Sequence, residues 1–163
     1  MCVSKQLATH LRAVHFGGNW TSVNIKDVLA DITIEEANTQ IKGLNSILAL
    51  SYHMSYYVTG VLEVFHNRPL KIKDKLSYDH PEISTETQWK MMCDMILTNA
   101  ETLAQHIETL ADTQIWEDFV DSKYGNYFSN INGIIEHTHY HLGQIVLLKK
   151  MIRSKKTHGT GEL

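Results

Sequence analysis

The chain has 163 residues, 43% of them hydrophobic and 20% charged, so it is long enough for one domain with a sizeable core. Its formal net charge of −3 argues against a nucleic-acid partner, because binding to a phosphate backbone requires a basic surface. Two cysteines give no disulfide framework, and no apolar run approaches the roughly 20 residues of a membrane span. Without an apolar leader at the N-terminus, we expect a cytoplasmic protein with no membrane partner.

Apolar residues repeat at helical spacing over four long stretches, and no stretch alternates as a strand does. Thr33 and Glu36 form a capping-box pattern at the start of the second stretch. Three connections of roughly 15 residues separate the stretches, and long ordered connections often carry function. The sequence therefore predicts an all-α, single-domain four-helix bundle over 1–156 and a disordered tail at 157–163. The helices are expected at 4–15, 33–66, 84–110 and 127–153.

The fourth helix carries two histidines four residues apart, His137 and His141. Residues at this spacing lie on one helical face about 6 Å apart, so both imidazoles can bind one metal ion. His139 is rotated by about 200° from His137 and is excluded from that face. Tyr140 and Gln144 lie on the same face, where they can hydrogen-bond the imidazoles and fix their orientation. Histidines that only cap, pack or face water would fit the same spacing.

A third metal ligand must come from another element, and His53 is the candidate. It lies in the middle of a long and otherwise apolar helix, where an unpaired imidazole is costly. A core histidine that hydrogen-bonds to a tyrosine or to the backbone fits this position equally well. His80, beside Asp79 in the second connection, is either a general base or fourth ligand, or a solvated turn histidine.

The last helix also carries a resemblance to a known family. His137 and the segment 141–145 resemble the H-x-x-x-H-x-G-Q signature of the DinB-like (DinB/YfiT-type) superfamily. The segment 51–53, midway along the second predicted helix, resembles the stretch of the family's sequence that carries its single upstream histidine. The resemblance covers essentially the whole chain. It extends to an uncharacterised subgroup through the segments 14–21, 26–33 and 124–127.

The resemblance implies a four-helix bundle with long loops, a homodimer, and one divalent transition metal ion held by His53, His137 and His141. Three imidazoles leave open coordination positions, as catalytic zinc sites do. Ligation by nitrogen alone suits zinc, nickel, copper or iron, and the order of affinities does not choose among them. We expect zinc or nickel. Some members of the family transfer low-molecular-weight thiols such as bacillithiol or mycothiol.

These observations lead us to expect a metal-dependent enzyme, a thiol S-transferase or a hydrolase, that acts on a small molecule such as a low-molecular-weight thiol. The loop residues Asn19 and Asn126 are expected to touch this substrate. The competing hypothesis is a stress-response dimer that binds a metal or a small ligand without turnover. An open pocket with polar groups over the metal would favour the enzyme, and a sealed apolar pocket would favour the binding protein.

Overall fold

The computed structural model describes residues 2–158, and over this range the chain contains six α-helices and no β-strand. The prediction of an all-helical chain is confirmed. Within the described range, no helix is both long and apolar enough to cross a membrane. The helices are α1 (Val3–Phe16), α2 (Ile25–Leu29), α3 (Ile34–Asn38), α4 (Ile47–Phe65), α5 (Glu86–Glu108) and α6 (Tyr127–His158).

The prediction of one continuous helix over 33–66 is wrong, because the chain leaves the helical conformation at 39–46. Gly43 has a φ of 82°, in the left-handed region that favours glycine. Ser46 then starts a new helix, since its side chain accepts a hydrogen bond from the backbone N–H of Ala49. The predicted helix is therefore two helices, the short α3 and the long α4.

The other three long helices lie close to their predicted positions. Thr85, one residue after the expected Ser84, caps α5 through a capping box. The last helix continues beyond its expected end at Arg153. The predicted tail at 157–163 thus overlaps the end of α6, and 159–163 lie outside the described residues.

The four long helices pack side by side, and each contacts two of the others. α1 lies against α5 and α6, and α4 lies against the same two helices. Salt bridges add to this packing: Arg12 of α1 binds Glu101 and Glu108 of α5, and Arg153 of α6 binds Glu36 of α3. The packing places α4 and α6, which carry the three candidate ligands, next to each other.

The core consists of two apolar clusters that follow each other along the helices. On α6, the change from one cluster to the other falls between Ile135 and Leu142, and on α4 it falls between Met54 and Val58. The candidate ligands on both helices lie within one turn of this boundary. Polar side chains thus occupy the level at which the apolar core is interrupted.

Candidate metal centre

Three imidazoles meet between α4 and α6, and we call them the three-histidine cluster: His53, His137 and His141. Nε2 of His137 lies 3.0 Å from Nε2 of His53 and 3.0 Å from Nε2 of His141. The potential ligand atoms of all three lie within 4.8 Å of one another. The structure therefore brings together the three residues that the sequence predicts as ligands, and this geometry could hold a metal ion.

Hydrogen bonds between the imidazoles do not account for this geometry. A ring nitrogen has one in-plane position, which holds either a hydrogen or a lone pair, so Nε2 of His137 can make one good hydrogen bond. It nevertheless faces two nitrogens at 3.0 Å. The amide oxygen of Gln144 lies 2.8 Å from Nδ1 of His141, so that Nδ1 carries the ring hydrogen and Nε2 keeps its lone pair. A cation among the three nitrogens would replace a nitrogen–nitrogen contact that lacks a hydrogen with three favourable nitrogen–cation contacts.

The cluster is mostly buried, and burial favours neutral imidazoles. His53 and His141 are 7% and 6% exposed, whereas His137 is half-buried. Burial first, and then the charges of His141 and His53, lower the pKa of His137 to about 4. Burial and the charge of His141 also lower the pKa of His53. His53 and His137 are therefore unprotonated at neutral pH, as metal coordination requires.

One buried polar atom of the cluster has no hydrogen-bond partner of its own. Nδ1 of His53 is buried and makes no hydrogen bond within residues 2–158. The backbone of Ser77 and the carboxylate of Asp74 are close enough to oppose the lowering of the His53 pKa, although neither meets hydrogen-bond geometry at Nδ1. If Nε2 of His53 bound a metal, its Nδ1 would carry the ring hydrogen. The backbone of Ser77 is the nearby group that could accept a hydrogen bond from it.

Two tyrosines for which the sequence predicted no role pack against the cluster. Tyr78, from the connection after α4, stacks on His53 with ring centroids 4.0 Å apart and planes 9° apart. Tyr57, one turn after His53, contacts the rings of His53 and His137 edge-on. Its hydroxyl donates to the carboxylate of Asp74 at 3.0 Å. The spacing of Tyr57 from His53 was a usable signal, whereas Tyr78 reaches the cluster only because its loop folds over α4.

The two residues predicted to orient the imidazoles differ in their contacts. Gln144 makes the expected hydrogen bond to His141. Tyr140 is 65% exposed and contacts the His141 ring edge-on, with centroids 4.8 Å apart. Within the described residues its hydroxyl makes no hydrogen bond to an imidazole. The structure therefore supports an orienting contact from Gln144 and a ring contact from Tyr140.

The predicted loop residues make contacts that stabilise the loops themselves. Asn19 donates to two backbone carbonyls on either side of its own turn, at 2.7 Å each. Asn126 accepts from the backbone N–H of Ser129 and so caps α6. Nδ1 of His80 lies 3.0 Å from the carbonyl oxygen of Pro81, and His80 is not part of the ligand group. Substrate contact by Asn19 or Asn126 stays a prediction.

His139 lies outside the ligand group, as its position on the helix predicts. It lies close to His15 of α1, which the sequence gave no role. His15 is 1% exposed, and its Nδ1 is 2.8 Å from the carbonyl oxygen of Leu11. Burial lowers the pKa of His15 to about 4, against the effect of the bond to Leu11, and the charge of His139 lowers it further.

A cavity of about 230 Å³ adjoins the cluster on the side of its most exposed ligand, and we call it the His137 cavity. Ser129 and Asn130, near the start of α6, line its polar part, His137 and Tyr57 lie on the side of the cluster, and Gly133 and apolar side chains line the rest. The three-histidine cluster is therefore not enclosed by apolar side chains alone. The lining residues are Tyr57, Val61, Ile72, Ser129, Asn130, Gly133, Ile134 and His137.

A scan against protein-family models and searches of curated proteins and of solved structures found no match for this chain. A functional assignment therefore depends on the chemistry of the three-histidine cluster and the side chains around it.

Proposed function

We propose that the chain binds one divalent transition metal ion through His53, His137 and His141 and is a metal-dependent enzyme, a thiol S-transferase or a hydrolase acting on a small molecule. The observation that carries the proposal is the convergence of three Nε2 atoms, with that of His137 at 3.0 Å from the other two. Tetrahedral zinc with bonds of about 2.0–2.1 Å would place its ligand nitrogens about 3.3 Å apart, which is close to the two distances from His137. The ligand atoms of His53 and His141 lie within 4.8 Å of each other.

The donor set and its support are those of a catalytic site rather than a structural one. Three protein ligands leave at least one coordination position open, and structural zinc sites use four. Gln144 accepts from Nδ1 of His141, which is how metal-bound histidines are commonly oriented. Imidazole ligands without thiolate suit zinc, nickel, copper and iron, of which we propose zinc or nickel. When bound, such an ion supplies Lewis acidity, which lowers the pKa of a water or a thiol in an open position.

The side chains around the cluster can exclude water and hold a proton. Tyr78 covers one ring face of His53, which keeps solvent from that side. Burial raises the pKa of Tyr57, so its hydroxyl stays protonated and donates to Asp74. Asp74 and Tyr57 thus form a pair beside the cluster through which a substrate proton can be accepted, the role that a general base plays.

We further propose that the chain is a DinB-like (DinB/YfiT-type) four-helix bundle that forms a homodimer in the cytoplasm. The signature at 141–145 supports this proposal, together with the side-by-side packing of α1, α4, α5 and α6. Both cysteines are free, as is usual for proteins in a reducing compartment. The thiol specificity known for some family members is carried by no residue of this chain, so hydrolysis and thiol transfer are proposed side by side.

Metal analysis followed by activity assays tests the proposal. The purified protein should contain one divalent ion per chain. Hydrolysis of a small ester or transfer of a small thiol should stop on chelation and return when metal is added, and His141→Ala should lack it at every metal concentration. Turnover should rise with pH as the activated water or thiol loses its proton.

Two results would contradict this function at different levels. A protein that takes up no metal would overturn the metal site and with it the enzyme. A protein that binds one ion but turns over neither substrate class would overturn catalysis and leave the non-catalytic binding dimer.

A further inference from the structure

We propose that the His137 cavity is the substrate pocket, that Gly133 provides its space, and that it accepts a small uncharged molecule with an apolar body. This inference rests on the proposed metal-dependent function and specifies the substrate class for it. A thiol is the reacting group that best fits both the metal ion and an uncharged, apolar ligand. It binds a metal ion as a thiolate while the rest of the molecule stays uncharged.

The exposure of the three ligands indicates where a substrate approaches. His53 and His141 are almost fully buried, and Tyr78 covers a ring face of His53. His137 is the half-buried member of the cluster, and it lines the cavity together with Tyr57. An open coordination position is therefore most accessible from the His137 side, where the cavity lies.

Gly133 leaves a space that no other side chain fills. It lies one turn before His137 on α6, so the two residues share a helical face. A Cβ built at Gly133 would meet no atom within 4 Å. A glycine inside a helix costs about 1 kcal/mol relative to alanine. Gly133, unlike the exposed Gly143, lies in the wall of a cavity, so a ligand in that cavity would use the space above it.

At a second helical glycine, Gly60, the space left by the missing side chain is filled by another residue of the chain. A Cβ built at Gly60 of α4 would lie 2.4 Å from Cγ1 of Ile72, so the chain itself occupies that space. Ile72 also lines the His137 cavity. Gly60 therefore admits a loop side chain that forms one wall, while Gly133, which also lines the cavity, is left for something outside the chain.

The lining of the cavity limits what it can accept. Apart from the proposed ligand His137, its residues carry no carboxylate, ammonium or guanidinium group. Its volume of about 230 Å³ is below the range of about 300–1,000 Å³ usual for drug-sized ligands. The side-chain amide nitrogen of Asn130 is fixed by donation to Tyr124 and Asn126, which leaves its oxygen as an acceptor at the polar end. A small neutral thiol fits, whereas a large charged one does not.

Cobalt-loaded protein tests the pocket without relying on turnover. Phenylmethanethiol and azide are titrated while the visible absorption of the cobalt site is recorded. Gly133→Leu should bind the thiol at least about tenfold more weakly than the parent protein, with azide affinity changed by less than about threefold. Lys150→Leu is the matched control, because Lys150 lies on the same helix, is exposed, and lies more than two turns beyond His141. It should bind both probes as the parent does.

The outcomes separate the pocket from the metal site. Equal thiol affinity in Gly133→Leu and the parent, or equal weakening in both leucine variants, would overturn the pocket. A parent protein that takes up cobalt but ignores the thiol would overturn it too, whereas one that takes up no cobalt refutes the proposed function itself. If Gly133→Leu fails to bind cobalt, Gly133→Ala replaces it and should still weaken thiol binding by about threefold relative to Lys150→Ala.

Discussion

Two groups of histidines lie on different flanks of α6 and differ in what surrounds them. On one flank His137 and His141 meet His53 of α4, and on the other His139 lies near His15 of α1. His15 is the most deeply buried of the five, yet its Nδ1 bonds to a backbone carbonyl of its own helix. In the three-histidine cluster, by contrast, one nitrogen faces two others and cannot satisfy both.

The difference shows that burial by itself does not identify a metal ligand. The buried His15 ring has a backbone acceptor for the hydrogen on its Nδ1, and no second ring nitrogen competes for that contact. Imidazoles whose lone pairs converge repel one another, and a cation that binds those lone pairs removes the repulsion. The following predictions test this distinction, from the largest expected effect to the smallest.

Removing one ligand of the cluster should have the largest effect. His137→Ala should abolish one-to-one metal binding, because two imidazoles leave the ion without its third protein ligand, while the helical content stays nearly unchanged. His139→Ala should keep the metal, since it lies on the other flank. Isothermal titration with zinc and far-UV circular dichroism measure both properties. Loss of metal in the His139 variant together with retention in the His137 variant would contradict the assignment of the metal site to the flank of His137.

The pH dependence of stability should report on His15. Its pKa is about 4 in the folded chain and 6.5 when unperturbed, so between these values the unfolded state holds a proton that the folded state lacks. Stability contributed by neutral His15 is therefore full above about pH 6.5 and lost as the pH falls towards 4, by about 3 kcal/mol in total.

Urea unfolding of metal-free protein checks this value. His15→Gln keeps a hydrogen-bond donor but does not titrate, so its free energy of unfolding should fall by about 3 kcal/mol less than that of the parent over the same pH interval. Identical pH profiles of the two proteins would show that His15 is not held neutral by burial.

Loss of the Gln144 contact should have a smaller effect on the cluster. Gln144→Ala leaves Nδ1 of His141 without its acceptor, and removal of such an orienting partner lowers metal affinity by about 10–100-fold. Gln144→Glu, which retains an acceptor oxygen, should lose less. Competition with a chromophoric chelator measures both affinities. An unchanged affinity in Gln144→Ala would mean that the bond to His141 does not orient the imidazole for metal binding.

The sequence predicted those parts of the fold that depend on neighbouring residues. The capping box of Thr33 and Glu36 is present, because both partners lie within one turn. The break at 39–46 was missed, because Ile41 and Leu44 continue the helical spacing of apolar residues through a loop. Ile41 packs against the core from that loop, and Leu44 is exposed, so the spacing there did not reflect a helix.

The same limit applies to the candidate site. The pairing of His137 with His141 and the contact of Gln144 follow from helical geometry, and the structure contains both. The approach of His53 could not be derived from spacing, because it depends on how α4 packs against α6. The stacking of Tyr78 depends on the path of a loop, for which the sequence offers no periodicity.

X-ray absorption fine structure at the metal edge of the zinc-loaded protein tests the central claim most directly. If the three-histidine cluster binds the ion, the spectrum should show nitrogen or oxygen ligands at about 2.0–2.1 Å and the multiple scattering of three imidazole rings. A sulfur shell at about 2.3 Å would instead assign the ion to Cys2 or Cys93, and scattering from fewer than three rings would show that the cluster does not act as a unit. Either result would contradict the account.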